Sequence, residues 1–203
     1  MRIGLDFDNT IVSYDNIFFK VALEKGIIDK KKHVNKLLIR EYLISLDKEL
    51  IWTELQGEVY GPRMHEANSF VGVLDFISKA CELGHNIFII SHKTKNPIKG
   101  PMYDLHNATK IWIKNNLISK GIELIKDHQI FLEETQIKKI KRIESCKCDL
   151  YVDDLPEILH SNIFPLSTEG YLFDPNKYYL KEKKINLNYF ESWEILTKKL
   201  FNS

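Results

Sequence analysis

The 203-residue chain is poor in cysteine (three), proline (six) and glycine (nine). Cys81, Cys146 and Cys148 cannot form an even disulfide framework. Cys146 and Cys148 also lack the second Cys pair or spaced His pair that would close a structural metal site. They read as buried thiols. Excess charge is missing too: 29 Lys and Arg oppose 28 Asp and Glu, a net charge of +1. That removes the broad electrostatic case for binding a nucleic-acid polymer or an anionic membrane. No apolar run approaches the roughly 18 residues of a transmembrane helix. Asp6 and Asp8 stand where a secretory signal would need an apolar stretch. The expectation is a reduced, cytoplasmic protein, monomer or homodimer, that works on a small molecule.

What is present is ordinary globular material, 44% hydrophobic and 28% charged, enough for one domain carrying an insertion. Four short apolar segments read as buried strands, each with polar residues at its C-terminal end: 2–7, 86–91, 129–133 and 149–153. A weaker fifth covers 170–174. Helix-period stretches separate them at 68–83, 104–120 and 135–145. Alternating strands and helices predict a doubly wound (Rossmann-like) parallel α/β sheet, whose ligands bind beyond the carboxyl ends of the strands. Residues 14–62 break the rhythm. They carry helical periodicity (Ile17, Phe18, Val21; Leu38, Tyr42, Leu46; Trp52, Leu55, Val59) and no strand. The expected organisation is a core of 1–13 and 63–203 with a helical cap inserted over 14–62 after the first strand. Insertions of this length with their own structure often serve as lids. Lys30-Lys31-Lys32 reads as a solvated helix start.

Polar residues at the strand ends carry the chemistry. In Asp6-Phe7-Asp8-Asn9-Thr10, strand alternation turns Asp6 and Asp8 to one side. Two ionised carboxylates that close repel unless a cation or a shared proton intervenes, and Mg²⁺ takes about six oxygens, commonly from carboxylates, water and substrate phosphate. Ile87-Phe88-Ile89-Ile90-Ser91 ends in a hydroxyl able to donate to a phosphate oxygen. Lys138-Lys139 opens a helix whose N-cap is expected at Thr135, and a helix N-terminus and a lysine both favour anions. Leu150-Tyr151-Val152-Asp153-Asp154 delivers a second acid pair.

Asp-x-Asp, then Ser, Lys and Asp-Asp, each on its own strand or the helix between, resembles the haloacid dehalogenase superfamily over roughly residues 1–13 and 63–174. The resemblance implies Asp6 as nucleophile and Asp8 as general acid and base, the latter a mark of its phosphatases. It implies Thr10, Ser91 and Lys139 as phosphate-binding groups, with Lys138 the fallback. It implies Mg²⁺ held by Asp6, Asp8, Asp153 and Asp154, with Asp154 favoured over Asp153 as the direct ligand. Where many members have Gly after the second Asp this chain has Asn9, a residue that tolerates left-handed backbone.

The expected activity is Mg²⁺-dependent hydrolysis of a small phosphate monoester through an aspartyl phosphate, with sugar phosphates ahead of other substrates. His92, Lys93, Arg63 and Trp52 are candidate substrate contacts, although Trp52 at helical spacing also fits a core role. A 5′-nucleotidase is the alternative, with Trp52, Tyr60 or Phe18 stacking on the base. A non-catalytic phospho-acceptor or binding module is more remote. In a receiver domain the acid pair comes first and the lysine last, the reverse of the order here.

Overall fold

A computed structural model describes residues 1–29, 35–179 and 187–201. The Lys30-Lys31-Lys32 run lies outside them. In chain order the elements are β1 (Arg2–Leu5), β2 (Val12–Ser13), α1 (Asp15–Glu24), α2 (Lys36–Ser45), α3 (Glu49–Tyr60), β3 (Asn68–Ser69), α4 (Val73–Glu82), β4 (Asn86–His92), α5 (Leu105–Asn116), β5 (Ile118–Ser119), β6 (Ile122–Glu123), β7 (Ile130–Glu133), α6 (Gln136–Ser145), β8 (Leu150–Asp153), α7 (Pro156–Leu159), β9 (Glu169–Phe173), β10 (Asn188–Phe190) and α8 (Trp193–Phe201).

Among the described residues six strands form one sheet, in the order β10-β9-β8-β1-β4-β7, and all its pairings are parallel. The chain builds β1, β4 and β7 outward in one direction, then returns to the other side of β1 for β8, β9 and β10. The reversal opens a crevice at the carboxyl ends of β1, β4 and β8, where ligands of doubly wound sheets bind. Burial on both faces accounts for strands that are apolar throughout. Ile3, Leu5, Ile89 and Val152 pack on one face with α4, α5 and α8. Ile90, Tyr151 and Leu172 pack on the other with Ile140 and Ile143 of α6. Gly4 is required here, because a Cβ would lie 2.6 Å from the Tyr151 ring, and the Tyr151 hydroxyl donates to the Ile90 carbonyl at 2.6 Å. Cys146 and Cys148 are buried free thiols.

The helical segments are shorter than the periodicity suggests. Asn68–Ser69 pairs antiparallel with Val12–Ser13 instead of opening α4, and Ile118–Ser119 turns into a small hairpin with Ile122–Glu123. α8 and β10 lie beyond the predicted elements. Trp193 of α8 is buried against Phe76, Phe173 and Phe190.

The β2–β3 pair forms a neck from which α1, α2 and α3 project. Their shared interior holds Phe18 stacked on Trp52, with ring centroids 5.0 Å apart, and Tyr60 edge-on to both Tyr14 and Phe18. α3 lies close to the loop after β4. At Gly57 a Cβ would stand 2.9 Å from Pro97, so the missing side chain permits that approach. Among the described residues no helix is long and apolar enough to cross a membrane.

Candidate active site

The β1–α1 connection is tied down along its length. The Asp6 N–H donates to the Val152 carbonyl at 2.8 Å, and the N–H groups of Ile11 and Val12 both reach the Phe7 carbonyl. Phe7 turns into the core and meets Trp112 edge-on at 5.4 Å. Trp193 donates its indole N–H to the Thr10 carbonyl at 3.2 Å. Asn9 has φ +57°, the left-handed conformation that an Asn accepts at small cost. With Phe7 anchored inward, Asp6 and Asp8 face the crevice.

Asp6 is buried, and its Oδ1 accepts from Ser91 Oγ at 2.9 Å and from Lys139 Nζ at 2.7 Å. Lys139 is itself buried and makes a second ion pair, 2.7 Å to Asp153 Oδ2. It rises from the first turn of α6, where the Thr135 side chain accepts from the Lys138 N–H at 3.2 Å and fixes the start of the helix. Lys138 is exposed, so of the two adjacent lysines it is Lys139 that enters the site. Asp153 Oδ1 also accepts the Leu155 N–H at 3.0 Å. Thr10, fully buried, donates to Asp154 Oδ1 at 3.4 Å.

Asp8 has different partners. Its carboxylate accepts from Lys93 Nζ at 2.9 Å and from the Tyr14 hydroxyl at 2.5 Å. Lys93 is buried, with its ammonium 4.7 Å from the centre of the Tyr60 ring. A second lysine arrives from above: Lys36, the first residue of α2, places its ammonium 3.4 Å from Asn9 Oδ1. It lies 5.6–5.7 Å from the ring centres of Tyr14, Phe18 and Tyr60.

Charge and burial set the protonation tendencies. Burial pushes the Asp6 carboxyl up to about 6; Lys139 opposes this, while Asp153 and Asp8 add to it. Asp154 is raised well above the carboxylate range by burial and by the charges of Asp153 and Asp6. Burial alone would lower Lys139, but the carboxylates of Asp153 and Asp6 outweigh it and hold the ammonium charged. For Lys36, burial is likewise outweighed by Tyr60 and by the charges of Asp8 and Asp154.

Oxygens of Asp6, Asp153 and Asp154 lie within 4.8 Å of one another. Two of these acids share Lys139. Among the described residues no lysine or arginine nitrogen lies within 4.0 Å of Asp154. An all-oxygen donor set with one carboxylate lacking a close cation fits a small hard divalent ion. Asp153, wholly buried and committed to Lys139 and the Leu155 N–H, leaves Asp154 as the better-placed ligand. The Asp8 carboxylate stands outside this group, because Lys93 and Tyr14 hold it.

Three expected substrate contacts have other partners in this structure. His92 alternates to the opposite side from Ser91 and Lys93, and its Nε2 lies 3.2 Å from the Glu134 carbonyl. Arg63 is spent in a clasp, bonded to Glu66 and, at 2.7 Å, to Glu24. Trp52 is interior to the helical layer, stacked on Phe18. Lys93 does reach the site. Lys36 and Tyr14 carry no motif signal; their only mark was lying in the inserted segment.

No family model matches the chain. A "putative nucleotidase" of Oceanobacillus iheyensis is 26% identical over 167 residues, covering 78% of this chain and 79% of that protein. Among solved structures, a phosphoserine phosphohydrolase-like protein from Francisella tularensis superposes with a TM-score of 0.56 at 12% identity, covering 98% of this chain and 99% of that one. A HAD family hydrolase from Deinococcus radiodurans, with bound phosphate and sodium, gives a TM-score of 0.56 at 12% identity over 99% and 95% of the two chains. A "putative HAD-hydrolase" of Bacillus subtilis bound to magnesium gives 0.51 at 13% identity over 98% of each. The chain has the haloacid dehalogenase fold. In this chain of haloacid dehalogenase fold, the residues converging on the crevice are Asp6, Asp8, Thr10, Ser91, Lys93, Lys139, Asp153 and Asp154, with Lys36 and Tyr14 reaching in from the helical insertion.

Proposed function

We propose that this protein is a Mg²⁺-dependent phosphomonoesterase of small phosphorylated metabolites. The observation that carries the reading is Asp6: a buried carboxylate with one oxygen pinned by both Ser91 and Lys139, beside two further acids placed to hold a cation. The magnesium and the phosphate in the structural relatives support it.

Asp6 and Asp154 would hold Mg²⁺, with Asp153 steadying Lys139 behind them. The ion supplies charge neutralisation for the phosphoryl oxygens, the dominant requirement of phosphoryl transfer. Ser91 and Lys139 fix the Asp6 carboxylate so that its attack on phosphorus meets no reorganisation, and Thr10 donates to a phosphoryl oxygen. Attack forms the Asp6–phosphorus bond and breaks the ester P–O bond, while Asp8, entering this step protonated rather than as the carboxylate that Lys93 and Tyr14 hold here, gives its proton to the leaving oxygen. Asp8 then takes a proton from water as that water attacks the acyl phosphate. Inorganic phosphate leaves and the Asp6 carboxylate is restored. Dividing the displacement between two steps lowers each barrier. The helices of residues 14–62 act as a cap that keeps other water out.

Two substrate classes compete. Sugar phosphates suit the hydrogen-bonding and cationic mouth. Nucleoside monophosphates are favoured by the relative from Oceanobacillus iheyensis and by the tyrosines beside Asp8. A phosphate-release screen over both classes, with and without Mg²⁺ and with Asp6→Asn as the blank, decides between them. Release that is independent of Mg²⁺ or retained by Asp6→Asn overturns the reading.

A further inference from the structure

Around Asp6, Asp8, Asp153 and Asp154, the ammonium groups of Lys139 and Lys93 are consumed by carboxylates at 2.7–2.9 Å. Lys36 is different. Among the described residues no carboxylate oxygen lies within 4.0 Å of its nitrogen, and its neighbours are ring faces, the Tyr60 hydroxyl and the Asn9 amide oxygen. A charge in such a place ordinarily has a counter-ion. Four carboxylates face three lysines, so a bound divalent cation leaves one positive charge in excess. That excess suits the arrival of a phosphate ester.

A cavity of about 550 Å³ begins at this point. Its lining joins Asn9, Lys36 and Asp154, beside the acids, to Arg40 of α2, Phe70 and Tyr178 of the loop 174–179. Its size is that of a small-molecule site. Lys36 and Arg40 stand four residues apart, so they share one face of α2. The carboxylates across the cavity are already engaged: Asp174 accepts the N–H groups of Tyr178 and Tyr179, and Asp15 accepts that of Lys36.

We infer that the leaving group of the ester lies in this cleft, with Lys36 contacting the phosphate at its inner end and Arg40 and Tyr178 contacting the leaving group further out. The inference rests on the phosphatase reading. It places substrate selection on α2 and the loop after β9, and away from the loop after β4 to which His92 belongs. An organic group with a flat face and polar edges, such as a nucleoside, matches aromatic walls beside a guanidinium.

The test uses the full Mg²⁺-loaded protein and two probes. Inorganic phosphate binding is measured by calorimetry for wild type, Lys36→Met and Lys36→Arg. We expect about tenfold or greater weakening in Lys36→Met, from loss of a charge-assisted contact, with partial recovery in Lys36→Arg. Steady-state kinetics then compare a nucleoside monophosphate with p-nitrophenyl phosphate. Lys36→Met should raise KM for both alike. Arg40→Ala and Tyr178→Ala should raise KM for the nucleotide more than threefold while changing phosphate affinity less than twofold. Phosphate affinity within twofold of wild type in Lys36→Met, or equal effects of Arg40→Ala on both esters, overturns the inference while leaving the hydrolase intact. If wild type hydrolyses nothing but binds phosphate through Lys36, the phosphatase reading fails and the Lys36 contact stands.

Discussion

Asp8 and Asp6 lie two residues apart and meet opposite surroundings. Asp6 is enclosed by Ser91 and Lys139, which would hold it still for the proposed attack. Asp8 is held by Lys93 and Tyr14 at the mouth of the site, where the leaving oxygen would emerge. General acid–base groups contribute about 10²–10⁴-fold, so Asp8→Asn should lower kcat by that range with an unchanged melting temperature, measured by phosphate release and calorimetry. Tyr14→Phe removes one of the two donors to Asp8 and keeps the ring that packs on Phe18 and Tyr60. Its expected cost is about 1 kcal/mol or less in stability, read by urea unfolding, with kcat reduced more than KM. A larger effect on KM would make Tyr14 a substrate contact.

Of the three helices of residues 15–60, α1 and α3 are joined by aromatic packing, α2 adds buried Ile39 and Leu43, and a charged clasp ties the layer to the neck. Trp52 is nearly wholly buried in that packing. Trp52→Ala should therefore cost about 3–5 kcal/mol by denaturant unfolding, as large aromatic deletions do. The clasp joins Arg63 to Glu24 of α1, to Glu58 of α3 and to Glu66 in the turn before β3. Hydrogen bonding to Arg63, then to Lys20, lowers the Glu66 carboxyl from 4.5 to about 2. A depressed carboxyl contributes stability above its unfolded value and loses it as pH falls through its folded value. The melting-temperature difference between wild type and Glu66→Gln should thus be full at neutral pH, shrink below about pH 4.5 and vanish near pH 2.

For the whole molecule, the gathering of acids from β1 and β8 has an energetic consequence. Asp6, raised by burial to about 6, and Asp154, also raised by burial and by the neighbouring acids, both resist ionising in the metal-free fold. A carboxyl whose folded value exceeds its unfolded one favours folding at low pH and loses that benefit as pH rises through the folded value. The metal-free protein should therefore lose stability from about pH 4 to beyond pH 6. Mg²⁺ bound to the deprotonated acids, as proposed, would reverse that loss. The rise in melting temperature on adding Mg²⁺ should be larger near pH 8 than near pH 5, and Asp154→Asn should abolish most of it. An equal rise at both pH values would place the ion elsewhere.

The parallel sheet and the convergence of its polar strand ends follow from residue order alone. Strand alternation and burial on both faces are local consequences of apolar runs such as Ile87–Ile90, and a doubly wound sheet leaves only its carboxyl edge for Asp6, Ser91 and Asp153. Asn9 could be assigned a left-handed turn for the same reason: the constraint lies within one residue. Pairings between side chains on separate elements were not legible. His92 and Lys93 are adjacent in sequence, yet alternation sends one to the Glu134 carbonyl and the other to Asp8. Arg63 looked available until three glutamates from separate elements closed on it. Lys36 is one surface-type lysine among many in the sequence, and only the docking of α2 over the Asp6–Thr10 loop brings its charge to the crevice. Local periodicity is encoded over a few residues, whereas the partner of a charge depends on which helices pack together, and long-range packing alone determines that.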